Sequence, residues 1–369
     1  MGAVQSVPVP YAVLIITLRF LNPLRFFKNQ KKINLPWKKV SVAEPVVAVD
    51  EKQEEVEPAV VETFSLFRLP HVALKVALQC FNPIELYQLA KCSTKTSNII
   101  PIAGTKKFKV TILAAMGVIE INKYRFAISN GVGSYPHMFY LLHEDGMNTL
   151  KTAFSEIQRI FKCPIRHLKY RNWYKYDSKL GMIQLIRGVM KNQTEPLESL
   201  RIKASIRKKD LQWILENVKV KKRIDICLEN IREYPIDFQP ECEHVAIDSW
   251  FLVPLDNLLR MKSSKFIELS RSRLTLEDIH NFMKEWQSGE FPMLEYLMIG
   301  GAVLNEDGTV LGFSRGQMGI VREVQRIKMI NRFHYSHCTK GVDIEAVDGT
   351  KATMQINTRN VFKLFVWRQ

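Results

Sequence analysis

The sequence predicts a mixed α/β protein in which a short helical unit precedes a larger domain built from parallel strands. Three observations predict this architecture. Apolar residues follow helical spacing between residues 67 and 100, short strand-like segments recur from residue 164 onward, and several of these segments are followed by helical stretches. A strand and a helix that recur about every 20–30 residues are typical of leucine-rich-repeat-like stacking, in which each unit buries its apolar face on the next.

Composition places the chain among ordinary globular proteins. It has 369 residues, of which 46% are hydrophobic and 24% are charged, and its formal net charge is +16. Such an excess suits nucleic acid, a membrane surface or an acidic protein partner, and it also keeps a protein soluble. The basic residues are scattered and no RNA- or DNA-binding motif accompanies them, so nucleic acid is the less favoured partner.

Neither the spacing of the cysteines nor a known catalytic motif indicates a metal site or an enzyme. The six cysteines are irregularly spaced and form no C-x-x-C pair, which argues against a zinc site and against a disulfide framework. Cys242 and His244 come nearest to a metal pair, but a small buried cysteine at the start of a strand is the favoured interpretation. The sequence also contains no Walker loop, H-E-x-x-H or G-x-S-x-G signature. We therefore expect a non-catalytic protein with no metal and no cofactor.

Two segments precede the predicted folded part. Residues 1–40 form a basic head, whose apolar run Val7–Leu18 is too short to span a membrane as a helix. Gly2 and Ser6 fit a myristoylation pattern, and one acyl chain beside basic residues is a two-signal anchor. A membrane-anchored scaffold is therefore one alternative. Residues 41–62 are acidic and contain no aromatic residue, which predicts a disordered linker.

Residues 64–105 have the pattern of three short helices. Pro70 suits a first helical turn, and Leu74 and Leu78 share one face of the helix that follows. The pair Asn82-Pro83 ends this helix and begins the next, with the asparagine as a cap. Three short helices cannot form a large core alone, so we expect a partner to cover their apolar face.

The rest of the chain is divided into three regions. We predict a β-rich connecting region at residues 106–162, a repeat-like domain at residues 163–301 and a C-terminal extension at residues 302–369. Within the repeat-like domain, strands are expected side by side in one parallel sheet near Leu200, Ile224, Val245, Ile267 and Tyr296. The strict leucine-rich-repeat consensus is absent, so an irregular α/β domain remains the alternative.

Aromatic and arginine side chains in the repeat-like domain are candidate contacts for a protein partner. Such side chains dominate binding energy because they bury much area with few rotors to freeze. The candidates are Arg171, Trp173, Tyr174 and Tyr176, together with Trp250 and Phe251. Two alternatives stay open. The aromatic and basic cluster at residues 171–176 also suits stacking on single-stranded RNA, and Trp250 and Phe251 also suit a hydrophobic core.

Two stretches of the sequence together resemble a known family. The segments Leu66-Phe67-Arg68-Leu69-Pro70, Asn82-Pro83-Ile84-Glu85-Leu86 and Cys92-Ser93 resemble the F-box of the large nematode F-box family. Further on, Ser272–Trp286 and Pro292–Leu297 resemble the type-two F-box-associated domain of the same proteins. Phe67 and Ala77 depart from the family pattern, and the basic head has no counterpart in it.

The resemblance implies a fold, partners and a role. It implies an N-terminal three-helix F-box and a C-terminal domain that selects a protein substrate. We expect the protein in the cytoplasm or nucleus, since reduced cysteines in a reducing compartment fit the sequence best. The F-box would dock the Skp-type linker subunit of a cullin-containing ubiquitin ligase, and the protein would be its substrate-recognition adaptor. The residues expected to build the linker interface or its supporting core are Leu69, Pro70, Leu74, Leu78, Pro83, Ile84 and Leu86.

Overall fold

The computed structural model describes most of the chain from Leu66 onward. The described residues are 66–128, 138–141, 146–171, 179–191, 193–228, 238–248, 253–301, 308–319, 326–331, 334–339, 341–357 and 359–368. The chain divides into two compact units, Met1–Asn82 and Pro83–Gln369. All the described strands belong to the second unit.

The first unit contributes one described α-helix. A short 3-10 turn at Leu66–Arg68 precedes helix α1, which spans His71–Gln79. Pro70 lies just before the helix, where its missing N–H removes no hydrogen bond that the helix needs. Leu74 and Leu78 of α1 are both buried.

The second unit begins with two short helices. Helix α2 spans Pro83–Cys92 and helix α3 spans Thr94–Ile99. Ser93 separates them, because its Oγ accepts a hydrogen bond of 3.1 Å from the Thr96 N–H and so caps α3. Proline at the start of α2 has no amide hydrogen to leave unpaired at a helix end.

Helix α4, Gly146–Phe161, is tied to these two helices by polar side chains. Tyr87 on α2 donates a hydrogen bond of 2.5 Å to Glu156, and Lys91 lies 2.6 Å from the other oxygen of the same carboxylate. Arg159 donates to Ser97 on α3 at 3.1 Å. The contacts join α2, α3 and α4 within the second unit.

A large sheet forms the centre of the second unit. Its strands are β1 (Val110–Leu113), β2 (Val118–Ile121), β3 (Tyr124–Ile128), β4 (Met138–Leu141), β5 (Ile165–Arg171), β6 (Leu197–Lys203), β7 (Val220–Cys227), β8 (His244–Asp248), β9 (Phe266–Ser270), β10 (Tyr296–Gly300), β15 (Val342–Glu345), β16 (Lys351–Ile356) and β17 (Val361–Trp367). The described strands follow the order β15-β16-β17-β10-β9-β8-β7-β6-β5-β1-β2-β3-β4. Two separate hairpins pair β11 (Thr309–Val310) with β12 (Phe313–Ser314) and β13 (Arg326–Asn331) with β14 (His334–Cys338).

The middle of the sheet is parallel and follows the chain. Strands β5 to β10 are neighbours in sequence order, each pair is parallel, and β1 joins β5 in the same sense. The predicted side-by-side strands near Leu200, Ile224, Val245, Ile267 and Tyr296 are thereby confirmed. The comparison with leucine-rich repeats stays a prediction.

Helices connect these parallel strands. They are α5 (Lys179–Met190), α6 (Lys208–Asn217), α7 (Leu255–Leu259) and α8 (Leu276–Gln287). Because the strands are added in one direction and such crossovers are right-handed, the helices lie on one face of the sheet. Helix α5 was not predicted from the sequence, because Gly181 and Gly188 weaken its helical pattern. A Cβ at Gly188 would lie 3.4 Å from the Lys151 side chain on α4, so the two helices are neighbours at this position.

Antiparallel strands complete both ends of the sheet. At one end β1, β2 and β3 form an antiparallel series, with β4 parallel to β3. At the other end β17 pairs with β10, followed by β16 and β15. Residues 302–369, treated above as an extension, therefore contribute three strands to the same sheet.

Candidate binding face of the sheet

The two faces of the parallel strands differ sharply in chemistry. Two rows of apolar side chains are buried on the face that carries the helices, because successive residues of a strand point to opposite sides. The rows are Leu168, Leu200, Ile224, Val245, Ile267 and Leu297, and Tyr170, Ile202, Ile226, Ile247, Leu269 and Ile299. The alternate positions lie on the opposite side, which we call the polar face.

The polar face changes its charge from strand to strand. Nine positions on β5, β6 and β7 are His167, Lys169 and Arg171, then Ser199, Arg201 and Lys203, then Arg223, Asp225 and Cys227. Six positions on β8 and β9 are His244, Ala246 and Asp248, then Phe266, Glu268 and Ser270. The first set contains five cations and one acid, whereas the second contains two acids and neither lysine nor arginine.

Hydrogen bonds and ion pairs run across the basic strands of the polar face. His167 Nδ1 lies 2.8 Å from Ser199 Oγ, and Arg201 forms an ion pair of 2.7 Å with Asp225. Burial lowers the pKa of His167, and the effect of Lys169 adds to it against the opposing effect of Glu198.

A buried polar group marks the change from the basic to the acidic strands. Arg223 Nη1 lies 3.1 Å from His244 Nδ1, and His244 Nε2 lies 2.5 Å from Glu268 Oε1. Arg223 Nη2 is 3.6 Å from Asp225, so the guanidinium is shared between two neighbours. His244 and Glu268 are both buried, and they link β8 to β9 beneath the surface of the face.

The carboxyl ends of β7, β8 and β9 are joined by Arg271. Its guanidinium pairs with the Asp248 carboxylate and donates to the backbone oxygens of Asp248 at 3.0 Å and Leu228 at 3.2 Å. The Cys227 thiol lies 3.4 Å from Asp248 Oδ2. Burial raises the pKa of Cys227, and the hydrogen bond to Asp248 raises it further. A thiol held in this way is a weak nucleophile, because the thiolate is the reactive form.

The hairpin β13–β14 covers the other end of the polar face. Tyr296 on β10 donates a hydrogen bond of 3.1 Å to Ser336 on the hairpin, and Lys363 on β17 donates to the same hydroxyl at 3.0 Å. Cys338, Tyr296 and Phe365 form one buried cluster there. Over β5 and β6, by contrast, Lys169 and Arg171 are exposed and the Arg201 side chain is 52% exposed.

The predicted contact residues of the sheet domain are only partly described. Arg171 ends β5 and is exposed on the polar face, as a binding residue needs to be. Trp173, Tyr174, Tyr176, Trp250 and Phe251 lie outside the described residues. Sequence reasoning missed Lys169, Arg201 and Lys203. Alternation within β5 and β6 was a usable signal, but the pairing that brings the two strands together is not visible in the sequence.

The predicted partner residues of the helical segment differ in exposure. In the first unit Leu69 is half-buried, Pro70 is exposed, and Leu74 and Leu78 are 8% and 0% exposed. The two leucines therefore have the burial of core residues rather than of a free interface. In the second unit Pro83 and Leu86 are buried and Ile84 is half-buried.

Three apolar side chains of the first unit that sequence reasoning did not select are exposed. They are Phe67 at 39%, Val72 at 73% and Val76 at 49%. Val72 and Val76 are four residues apart on α1, a spacing that places them on one side of a helix. That spacing was visible in the sequence, but the buried leucines have the same spacing and were chosen instead.

The described ranges contain no candidate membrane span and no candidate metal site. No described helix is long and apolar enough to cross a membrane. Within the same ranges, His, Cys, Asp and Glu side chains form no group of three that could hold a metal ion. The predicted myristoylation segment lies outside the described residues.

The fold and the polar face together define a mixed α/β protein whose parallel sheet carries a charged, partly open surface. A family model described as F-box associated matches residues 234–299, so an F-box-associated domain is found there. This match confirms the corresponding part of the predicted resemblance and extends from before β8 into β10. No curated protein and no solved structure matches the chain.

Proposed function

We propose that this chain is a non-catalytic substrate-recognition adaptor of a Skp–cullin–F-box ubiquitin ligase, acting in the cytoplasm or nucleus. The observation that carries the proposal is the F-box-associated match at residues 234–299. An adaptor of this kind raises the local concentration of a substrate beside the ligase and needs no catalytic group of its own.

The proposed F-box occupies residues 64–105 and is of the nematode type. Its order of motifs, quoted above, supports this assignment. The exposed side chains Val72 and Val76, four residues apart on α1, support a partner on this helix, because exposed apolar side chains on one side of a helix are a common mark of an interaction site. The proposed partner is the Skp-type linker subunit, through which the chain joins the cullin.

The proposed substrate surface is the polar face over β5, β6 and β7. Its support is the exposure of Lys169 and Arg171 and the charge that these strands carry. A rigid sheet holds such side chains at fixed spacing, which reduces the entropy lost when a partner binds.

Capture of a recombinant Skp-type linker subunit by the full-length chain tests the adaptor role. We expect V72E to weaken capture by about tenfold or more, since a charge replaces an apolar contact at an interface. The matched control is V347E, which places the same charge at another valine, 80% exposed. Both variants should keep the circular dichroism spectrum of the parent chain. Failure of the parent chain to capture the linker subunit, or equal capture by V72E and V347E, would overturn the proposal.

A further inference from the structure

Four cations occupy paired positions at the open end of the polar face. Lys169 on β5 is in register with Arg201 on β6, and Arg171 is in register with Lys203. We call these four residues the basic square. Neighbouring strands lie about 4.8 Å apart, and alternate residues of one strand lie about 6.6 Å apart, so the backbone positions that carry the four cations recur at these intervals.

The charge of the folded region is consistent with this concentration. The seven basic residues of the head, residues 1–40, are offset by the seven acidic residues of residues 41–62, so nearly all of the net charge of +16 belongs to the later part of the chain. Asp225 is the one acid among the nine polar-face positions of β5, β6 and β7, and it already pairs with Arg201. Among these nine positions cations therefore outnumber acids by five to one.

The neighbouring strands favour a ligand that stays on β5 to β7. Asp248 and Glu268 occupy the next polar-face positions, where Asp248 pairs with Arg271 and Glu268 is buried beside His244, so these strands lack the surplus of cations found on β5 and β6. Beyond them the hairpin β13–β14 covers the end of the face at Tyr296. An anionic partner is thus favoured over β5 to β7, where cations outnumber acids, and the hairpin covers the far end of the face.

We propose that the basic square binds an extended acidic peptide whose carboxylates occupy alternate positions. In an extended chain alternate side chains point to one side and recur about every 6.6 Å, which matches the spacing of Lys169 and Arg171 along β5 and of Arg201 and Lys203 along β6. This inference deepens the proposed function, because it names the chemistry of the substrate segment that the face selects.

A peptide suits the square better than a nucleic acid does. The nine described polar-face positions of β5, β6 and β7 carry no Phe, Tyr or Trp, so they offer no aromatic platform on which a base would stack. A carboxylate peptide needs only the matched spacing of charge.

Fluorescence anisotropy with labelled peptides tests the proposal on the full-length chain. The probe is an octapeptide that alternates Asp with Thr, and its composition-matched control carries the four Asp residues as one block. We expect the alternating peptide to bind at least about fivefold more tightly than the block peptide at low salt, and both to weaken as salt rises. Equal affinity for the two peptides would overturn the proposed match between the spacing of the peptide carboxylates and the spacing of the basic square.

Two charge-reversal variants locate the binding site. K169E/K203E removes one cation from each strand of the square. We expect this variant to bind the alternating peptide about tenfold or more weakly than the parent chain does. K284E/K351E makes the same change in net charge at exposed lysines elsewhere, on α8 and β16, and should stay within about twofold of the parent. If both variants bind the peptide equally weakly, the loss of affinity is caused by net charge alone, and the proposal is overturned. Tighter binding of a single-stranded oligonucleotide of equal charge, lost in K169E/K203E, would also overturn it.

Capture of the Skp-type linker subunit by the same variants separates this inference from the proposed function. We expect K169E/K203E to capture the linker subunit as the parent chain does. One outcome is that the parent chain captures no linker subunit, while K169E/K203E binds the alternating peptide more weakly than K284E/K351E does. In that case the adaptor role is wrong and the proposal for the basic square holds. If capture succeeds and the peptide binds no more weakly to K169E/K203E, the square fails and the adaptor role stands.

Discussion

His244 Nε2 lies 2.5 Å from Glu268 Oε1 in the buried part of the polar face. The other ring nitrogen, Nδ1, lies 3.1 Å from a guanidinium nitrogen of Arg223. Because a guanidinium only donates, Nδ1 must accept, and the geometry assigns the proton of a neutral imidazole to Nε2. The imidazole therefore connects Arg223 to Glu268 through two hydrogen bonds and links the adjacent strands β7, β8 and β9.

This arrangement predicts that Glu268 stabilises the sheet. We expect Glu268→Ala to lower the free energy of unfolding by about 1–3 kcal/mol, because the buried Nε2–H of His244 would lose its acceptor. Glu290→Ala is the control, since Glu290 is half-exposed and its ion pair with Lys262 is at the surface. That change should cost less than about 1 kcal/mol. Urea denaturation measures both, and equal losses would contradict the role assigned to Glu268.

A second prediction concerns the start of α8, within the F-box-associated match. Thr275 Oγ1 accepts a hydrogen bond of 3.1 Å from the Asp278 N–H, and the Asp278 carboxylate accepts one of 2.7 Å from the Thr275 N–H. We expect Thr275→Ala to cost about 1 kcal/mol of stability, because an amide at the helix start loses its partner. Thr275→Ser keeps the hydroxyl and should retain most of that stability. Thermal unfolding measures both variants, and an equal loss in the serine variant would exclude capping as the cause.

A third prediction is a pH dependence from Glu156 on α4. Burial alone would raise the pKa of Glu156, but hydrogen bonds from Lys91 and Tyr87 outweigh it and hold the pKa below its ordinary value of 4.5. A lowered pKa in the folded state stabilises the protein above the ordinary pKa, and this stabilisation is lost as the pH falls through the folded value. We therefore expect Glu156→Gln to cost about 1 kcal/mol at pH 7 and progressively less at acid pH below 4.5.

Denaturation at several pH values provides the measurement for Glu156. The Lys91→Ala variant is the companion, because it removes the cation and leaves the carboxylate. It should reduce the same pH dependence without abolishing it, since the hydrogen bond of 2.5 Å from Tyr87 remains. A constant difference between Glu156→Gln and the parent across the pH range would show that the charge of Glu156 contributes nothing.

The parallel strands were predictable because each carries its pattern locally. In β6, Leu200 and Ile202 alternate with Arg201, and a similar alternation recurs in the following strands. What the sequence does not contain is the register between strands. Only the pairing of β5 with β6 shows that Lys169 lies beside Arg201. The basic square could therefore not be predicted, although each of its four residues can be read from the sequence.

The C-terminal strands were harder to place for a different reason. Strand β17 has a clear apolar pattern, but its partner β10 precedes it by about sixty residues in the chain, and no local signal connects the two. On α1, Val72 and Val76 share the spacing of Leu74 and Leu78, so the sequence could not decide which pair is buried. Burial is decided by packing, which a single helix does not specify.

The last prediction follows from the position of β17 between β10 and β16. Phe365 is fully buried, lies in register with Tyr296 on β10, and its ring centroid is 5.3 Å from that of Tyr296. Removing the ring would leave a cavity in the cluster that Tyr296 and Cys338 share. We expect Phe365→Ala to cost about 3–5 kcal/mol of unfolding free energy.

Hydrogen exchange on the same variant identifies where the loss of Phe365 acts. Amides of β10 and β17 should exchange faster, because the antiparallel ladder between them depends on the packing of the cluster. Phe313→Ala is the comparison, since Phe313 is half-buried in the small hairpin β11–β12, outside the large sheet. It should cost less and leave β10 protected. Unchanged protection of β10 in Phe365→Ala would mean that β17 adds little to the stability of the parallel strands.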